Sequence, residues 1–218
     1  MKEKGNSMTK PKNNEGIEPS PVQSDIPAFW NYIFIQGEIN EAVSLHVSER
    51  LLTADFINST LDVPEPITML INSPGGSVTD AWQICDIMDY VNSEIHTVGL
   101  GNICSAGLIV FMNGAKGHRT VSDRCAIMSH RYSWGAEGKH TDLIAVRKEQ
   151  DYVHQRILRH YIECTGLSRK YIEKNLLQEH DAWLTPEEAK KHKMVDKIIQ
   201  TKKSKFIKNR HKVNYKEE

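Results

Sequence analysis

Several things are scarce or missing in this 218-residue chain, and each absence excludes a class of protein. There are four cysteines, Cys85, Cys104, Cys125 and Cys164, and no C-x-x-C pair. That spacing supports neither a zinc site nor a disulfide framework, and it fits free thiols in a reducing, cytoplasmic compartment. Long apolar runs are missing: the longest near the centre, Leu108 to Met112, is far too short to cross a membrane. An excess of one charge is missing, since 28 basic side chains balance 28 acidic ones, so nothing pulls the chain toward nucleic acid. Lys2 and Lys4 precede no apolar stretch, and Glu3, Glu15, Glu18 and Asp25 are unlike a transit peptide, so no targeting leader is expected. Internal repeats and low-complexity runs are absent.

What is present divides in three. Residues 1–27 hold four of the eight prolines and almost no apolar side chains, too few to offset the entropy of ordering, so disorder is expected there. The last eighteen residues, 201–218, carry seven Lys or Arg and read as a solvated basic tail. Between them, residues 28–200 are long enough for one core that buries roughly 70% of its unfolded surface. Tyr32–Ile35 and Ile67–Ile71 read as strands, with a helical stripe of Val43, Val47, Leu51, Leu52 and Phe56 between them. Asn72–Ser77 is a tight turn before a helix over 78–90. A strand over 95–100, a turn through two glycines, the helix after Ser105, and strands at 119–121 and 126–129 follow. Strands alternating with helices on short connections predict an α/β sheet with crossover helices. A long amphipathic helix runs over 141–165 with Ile144, Tyr152, Ile157, Tyr161 and Ile162 on its apolar face. It is longer than one small core needs, which suits packing against a partner subunit as well as it suits a solvated surface. Ser168–Leu177 reads as a helix, Asp181–Leu184 as extended, Thr185–Glu188 as a capped helix start, and Met194–Ile199 as a closing strand.

The chemistry centres on Gly99 to Phe111. Ser105 lies between Cys104 and Ala106 at a strand-to-helix turn, where a helix N-terminus offers free N–H groups to a developing oxyanion. A serine there also makes a good N-cap, so the residue type alone leaves both readings open. A nucleophilic serine needs a base, an acid that orients the base, and oxyanion donors. Of ten histidines, His130 directly follows the apolar 126–128 run at the carboxyl end of a strand. His46, His154 and His160 fall on helices, and His118 and His140 in loops. Asp181, before the extended Ala-Trp-Leu segment where Trp183 could hold it inward, is the chosen acid. Asp123 and Asp142 compete, although Asp142 suits capping the long helix. The Gly75–Gly76 turn and the N–H of Ala106 offer the donors. Cys104 as a thiol nucleophile stays as a minor alternative.

These motifs together resemble the proteolytic subunit of the Clp protease family. The resemblance rests on Ile71-Asn-Ser-Pro-Gly-Gly76, Gly101-Asn-Ile-Cys-Ser-Ala-Gly107, Gly114-Ala-Lys-Gly-His-Arg119, Ile127-Met-Ser-His130, Gly135–Asp142 and Asp181-Ala-Trp-Leu-Thr185, in order over about residues 32–200. It implies a crotonase-like α/β fold of repeated ββα units, with the 141–165 helix as a handle between rings. It implies a serine endopeptidase with Ser105, His130 and Asp181 as a triad and the N–H groups of Gly76 and Ala106 as oxyanion hole. It further implies a homo-oligomer of stacked heptameric rings (a tetradecamer) that takes unfolded polypeptides from a partner AAA+ unfoldase. No cofactor or metal is expected, ATP being used only by that partner, and the chain has no G-x-x-x-x-G-K-[ST] motif. Residues 1–31 do not look like the family's axial loop, Thr68 and Leu70 stand where docking aromatics are common, Arg131-Tyr132 replaces Gln-Pro, and the His130–Asp181 interval is slightly longer. Two other readings are an idle structural ring subunit and a crotonase-type acyl-CoA enzyme. The latter lacks its Glu pair at the matching turns.

Overall fold

The computed structural model describes residues 29–133 and 135–202. The expected disordered segment 1–27 and nearly all of the expected tail 201–218 lie outside those residues. The elements are β1 (Tyr32–Gln36), α1 (Glu41–Ser59), β2 (Ile67–Ser73), α2 (Val78–Tyr90), β3 (Ile95–Cys104), α3 (Ala106–Met112), β4 (Arg119–Ser122), β5 (Ala126–Ser129), α4 (His140–Thr165), α5 (Arg169–Asn175), β6 (Ala182–Leu184), α6 (Pro186–Lys191) and β7 (Lys197–Ile199). The main sheet has the order β1-β2-β3-β4-β7, all parallel; β5 also pairs with β3, and β6 with β5. Parallel neighbours require crossovers, which α1, α2 and α3 supply. The core lies between the sheet and these helices, built around Ile33, Ile35, Met69, Ile71, Leu108 and Phe111.

The expected end of β3 at Leu100 is a correction. The strand continues to Cys104 and changes neighbours on the way, pairing Thr97–Gly99 with β4 and Asn102–Cys104 with β5. The glycines therefore do not make a turn. Gly101 sits at φ 68°, and a Cβ there would come within 2.7 Å of the Asn72 carboxamide oxygen, which accepts the Asn102 N–H at 3.1 Å. Glycine lets two strands close together where the sheet switches partners. The result matters downstream: β3 delivers Ser105 directly from a strand, alongside β5.

The long helix α4 exists, but its apolar face divides. Ile157, Leu158 and Tyr161 are buried, whereas Ile144 is 58% and Tyr152 67% exposed. Among the described residues, it is the C-terminal part that packs on this chain, against α3 and α5. The closing strand β7 is shorter than expected, because the Met194 N–H donates back to the Ala189 carbonyl at the end of α6 and not to a neighbouring strand.

Arg119, at the start of β4, is 3% exposed. Its guanidinium donates to both carboxylate oxygens of Asp196 at 2.8 and 2.9 Å and to the carbonyls of Cys164 and Lys193. Burial pushes the Asp196 carboxyl up, but hydrogen bonds from Arg119 and Gly117 outweigh this and hold it below its ordinary value. Removing one partner strands the other charge, so Arg119→Ala is expected to cost about 3–5 kcal/mol in urea unfolding. A carboxylate with a lowered folded pKa stabilises above its unfolded pKa and loses that contribution on acidification. Wild-type stability should therefore fall below about pH 4, and Asp196→Asn should make that fall shallower.

Candidate active site

Two strand registers assemble the site. Cys104 pairs with Met128 across β3 and β5, and the Ser105 N–H donates to the Met128 carbonyl at 3.0 Å. Ser129 pairs with Ala182 across β5 and β6, so the next residues along, His130 and Asp181, meet beyond the end of that ladder. His130 Nε2 lies 2.7 Å from Ser105 Oγ, and His130 Nδ1 lies 3.4 Å from Asp181 Oδ1. Three residues far apart in sequence thus form one line of serine, imidazole and carboxylate.

Ser105 does not spend its hydroxyl on capping. It precedes α3 at φ 52°, ψ −123°, and its side chain makes no cap hydrogen bond. A non-glycine residue at positive φ is strained, and such strain concentrates at functional sites. The strained turn aims Oγ at His130. Cys104 is buried, and burial pushes its thiol up, so it stays protonated and offers no thiolate.

The turn before α2 lies against the serine. A Cβ on Gly75 would sit 2.7 Å from Ser105 Cβ, so the backbone passes that close. Gly76, at φ 138°, is held against residue 39: the Ile39 N–H donates to the Gly75 carbonyl at 2.8 Å, and the Ser77 N–H to the Ile39 carbonyl at 2.9 Å. Ala106 is the first residue of α3, where an N–H has no partner inside the helix. Among the described residues, neither the Gly76 nor the Ala106 N–H donates to another backbone group.

The imidazole is anchored from behind. The Ser129 hydroxyl donates to the Leu176 carbonyl at 2.7 Å, which leaves the Tyr161 hydroxyl, 2.8 Å away, to donate to it. Burial pushes the Tyr161 phenol up to about 12, so it keeps that proton. The Arg131 Nε–H donates to the Leu177 carbonyl at 2.7 Å. His130 is therefore flanked by two residues tied to the segment after α5. Sequence reasoning placed Tyr161 only on an apolar face; no local spacing links it to Ser129, thirty-two residues away, so its hydroxyl's role shows only in the fold. Trp183, expected to hold Asp181 inward, is 62% exposed and does not. The short β5–β6 ladder places Asp181 instead. Of the competing acids, Asp142 accepts the Lys139 N–H in the first turn of α4, and Asp123 lies in the β4–β5 turn beside Ile199 and Thr201.

A cavity of about 220 Å³ opens beside Ser105, lined by Val78, Ile109, Tyr132, Ile157 and Tyr161. A larger hollow of about 390 Å³ between α1 and the segment before β3 holds carboxylates and amides but no histidine, and lies apart from Ser105.

The profile of the Clp protease family matches residues 28–202. The chain belongs to this family of peptidases. Among solved structures, it is similar to a point mutant of ClpP1 from Listeria monocytogenes, with a TM-score of 0.70 and 30% identity over 80% of this chain and 94% of that one. The fold is that of ClpP, as the resemblance implied. No helix among the described residues is long and apolar enough to cross a membrane.

Proposed function

We propose that the protein is a serine endopeptidase that cleaves unfolded polypeptides with Ser105 as nucleophile, His130 as base and Asp181 as the acid that orients it. The observation that carries this reading is the 2.7 Å contact between Ser105 Oγ and His130 Nε2, made by a serine in a strained turn. With its Nδ1–H toward Asp181, the imidazole presents Nε2 as acceptor. It takes the hydroxyl proton as Oγ bonds to the scissile carbonyl carbon. The carbonyl oxygen, now negative, is received by the N–H groups of Gly76 and Ala106. Imidazolium then protonates the leaving amine as the C–N bond breaks. Water repeats the sequence on the acyl-serine, releasing the acid and restoring the hydroxyl. No metal or cofactor enters these steps. The cavity beside Ser105 is mostly apolar, which suits an apolar substrate side chain next to the cleaved bond.

The proposal extends to assembly. Paired heptameric rings would enclose Ser105 in a chamber, and the exposed Ile144 and Tyr152 on α4 would lie in a contact between copies. Ile144→Glu with Tyr152→Glu should yield smaller particles in sedimentation while leaving the circular dichroism of the fold unchanged. An AAA+ unfoldase would deliver substrate. Thr68 and Leu70 on β2 pair in register with Tyr32 and Phe34 on β1, which are 38% and 64% exposed, so the aromatic side chains here stand one strand over. Cleavage is tested with an unfolded casein and with fluorogenic peptides bearing apolar or acidic residues before the reporter. Apolar-selective turnover supports the reading, and none from an assembled ring would contradict it.

A further inference from the structure

At the opposite end of β3 from Ser105, three side chains converge that the peptidase reading does not use. Glu94, just before β3, and His96 within it are two residues apart and so lie on the same side of the extended chain. β3 and β4 pair Thr97 with Arg119, so His96 and His118 stand side by side one step earlier. Their rings stack at 3.9 Å between centroids with 13° between planes. Glu94 Oε1 lies 2.5 Å from His96 Nε2 and 3.8 Å from His118 Nε2.

The backbone on every side of this cluster is fixed. The Glu94 carbonyl accepts the Ile67 N–H at 2.9 Å, and the His118 carbonyl accepts the Thr97 N–H at 3.3 Å. The Ala115 N–H donates to the Ile95 carbonyl and the His118 N–H to the Ala115 carbonyl, closing the loop that carries His118. The Asp196 carboxylate accepts from the N–H groups of Gly117 and Arg119, on either side of His118. The backbone frame is prearranged, and the two stacked imidazoles need only rotate apart about their side-chain bonds to converge their in-plane nitrogens on one ion.

We propose that Glu94, His96 and His118 form a site for one divalent transition-metal ion, with Zn²⁺ the best match. Two imidazoles and one carboxylate are a donor set zinc takes with water in the fourth position. Ligand atoms of a tetrahedral zinc site are about 3.4 Å apart, given bonds of about 2.0–2.1 Å. The contacts of 2.5 and 3.8 Å straddle that separation, and all three donor atoms lie within 4.8 Å of one another. A proton between Glu94 and His96 satisfies one imidazole and leaves the other facing the same carboxylate oxygen. A divalent ion satisfies all three. The expectation of no metal came from cysteine spacing, which says nothing about histidines brought together across two strands. The bound ion would clamp β3 to β4 at the far end of the strand that carries the nucleophile.

The test titrates the full chain with ZnCl₂ against a chromophoric chelator, for the wild type and for His96→Ala, His118→Ala and His130→Ala. One Zn²⁺ per chain, weakened about 100-fold or more in the first two variants and retained in His130→Ala, is the expected result. Zinc binding unchanged by loss of His96 and His118, or lost only with His130, would overturn the proposal. Should either alanine variant not fold, diethyl pyrocarbonate modification of the wild type decides. Zn²⁺ must shield His96 and His118, and equal labelling with and without Zn²⁺ refutes the site.

Discussion

Ser105→Ala is expected to lower peptide hydrolysis by about a millionfold with the ring assembly intact, and His130→Ala to do nearly the same. The two effects should not add, because each residue is useless to the reaction without the other. Alanine at 105 removes only a hydroxyl whose neighbour is His130 at 2.7 Å and which caps nothing, so stability should change little. Asp181→Asn should be milder, a loss of about 10⁴-fold. Asp181 is 3.4 Å from the imidazole with a side chain 53% exposed, and His130 keeps its flanking anchors at Ser129 and Arg131 without it. Steady-state kinetics on a fluorogenic peptide measures all three. An Asp181→Asn loss as large as that of Ser105→Ala would mean that the carboxylate does more than orient the ring.

Gly76→Ala is expected to reduce kcat by about 100- to 1000-fold while leaving the serine reactive. An added Cβ would fall 2.2 Å from the Ile39 carbonyl oxygen and 2.8 Å from its nitrogen, and the backbone there is at φ 138°. Neither neighbour can yield easily, since Ile39 is fully buried and bonded on both sides of Gly76. The turn must move, and the Gly76 N–H proposed as an oxyanion donor moves with it. The loss should appear in kcat more than in KM, because the donor acts on charge that exists only in the transition state. Comparing kcat and KM for the variant and the wild type settles it. A rise in KM alone would place Gly76 in substrate binding instead.

Much of this was legible in the residues. The alternation of apolar strands with helices set the α/β class, and small residues around Ser105 at a strand end made it a candidate, although that stretch alone suited a helix-capping serine equally well. His130 was readable from its place after Ala126–Met128, at the end of what is β5. What the sequence concealed depends on pairing between distant segments. The glycines of β3 looked like a turn because glycine serves both sharp bends and close strand approach, and only Asn72 packed against Gly101 decides between them. Trp183 looked like an inward anchor, yet strand alternation puts Ala182 inside and Trp183 outside. Tyr161 read as a core aromatic, and its hydroxyl behind Ser129 appears only when α4 crosses β5. His96 and His118 lie twenty-two positions apart, so no local spacing rule could join them. The β3–β4 register does.

The central claim is that Ser105 is an activated nucleophile. Its most direct test treats the purified protein with a fluorophosphonate probe and reads intact mass, with Ser105→Ala and His130→Ala alongside. One adduct per wild-type chain and none on either variant is the predicted result. A wild-type protein that assembles into rings yet takes no adduct would contradict the claim and leave the chain as an idle subunit of its ring.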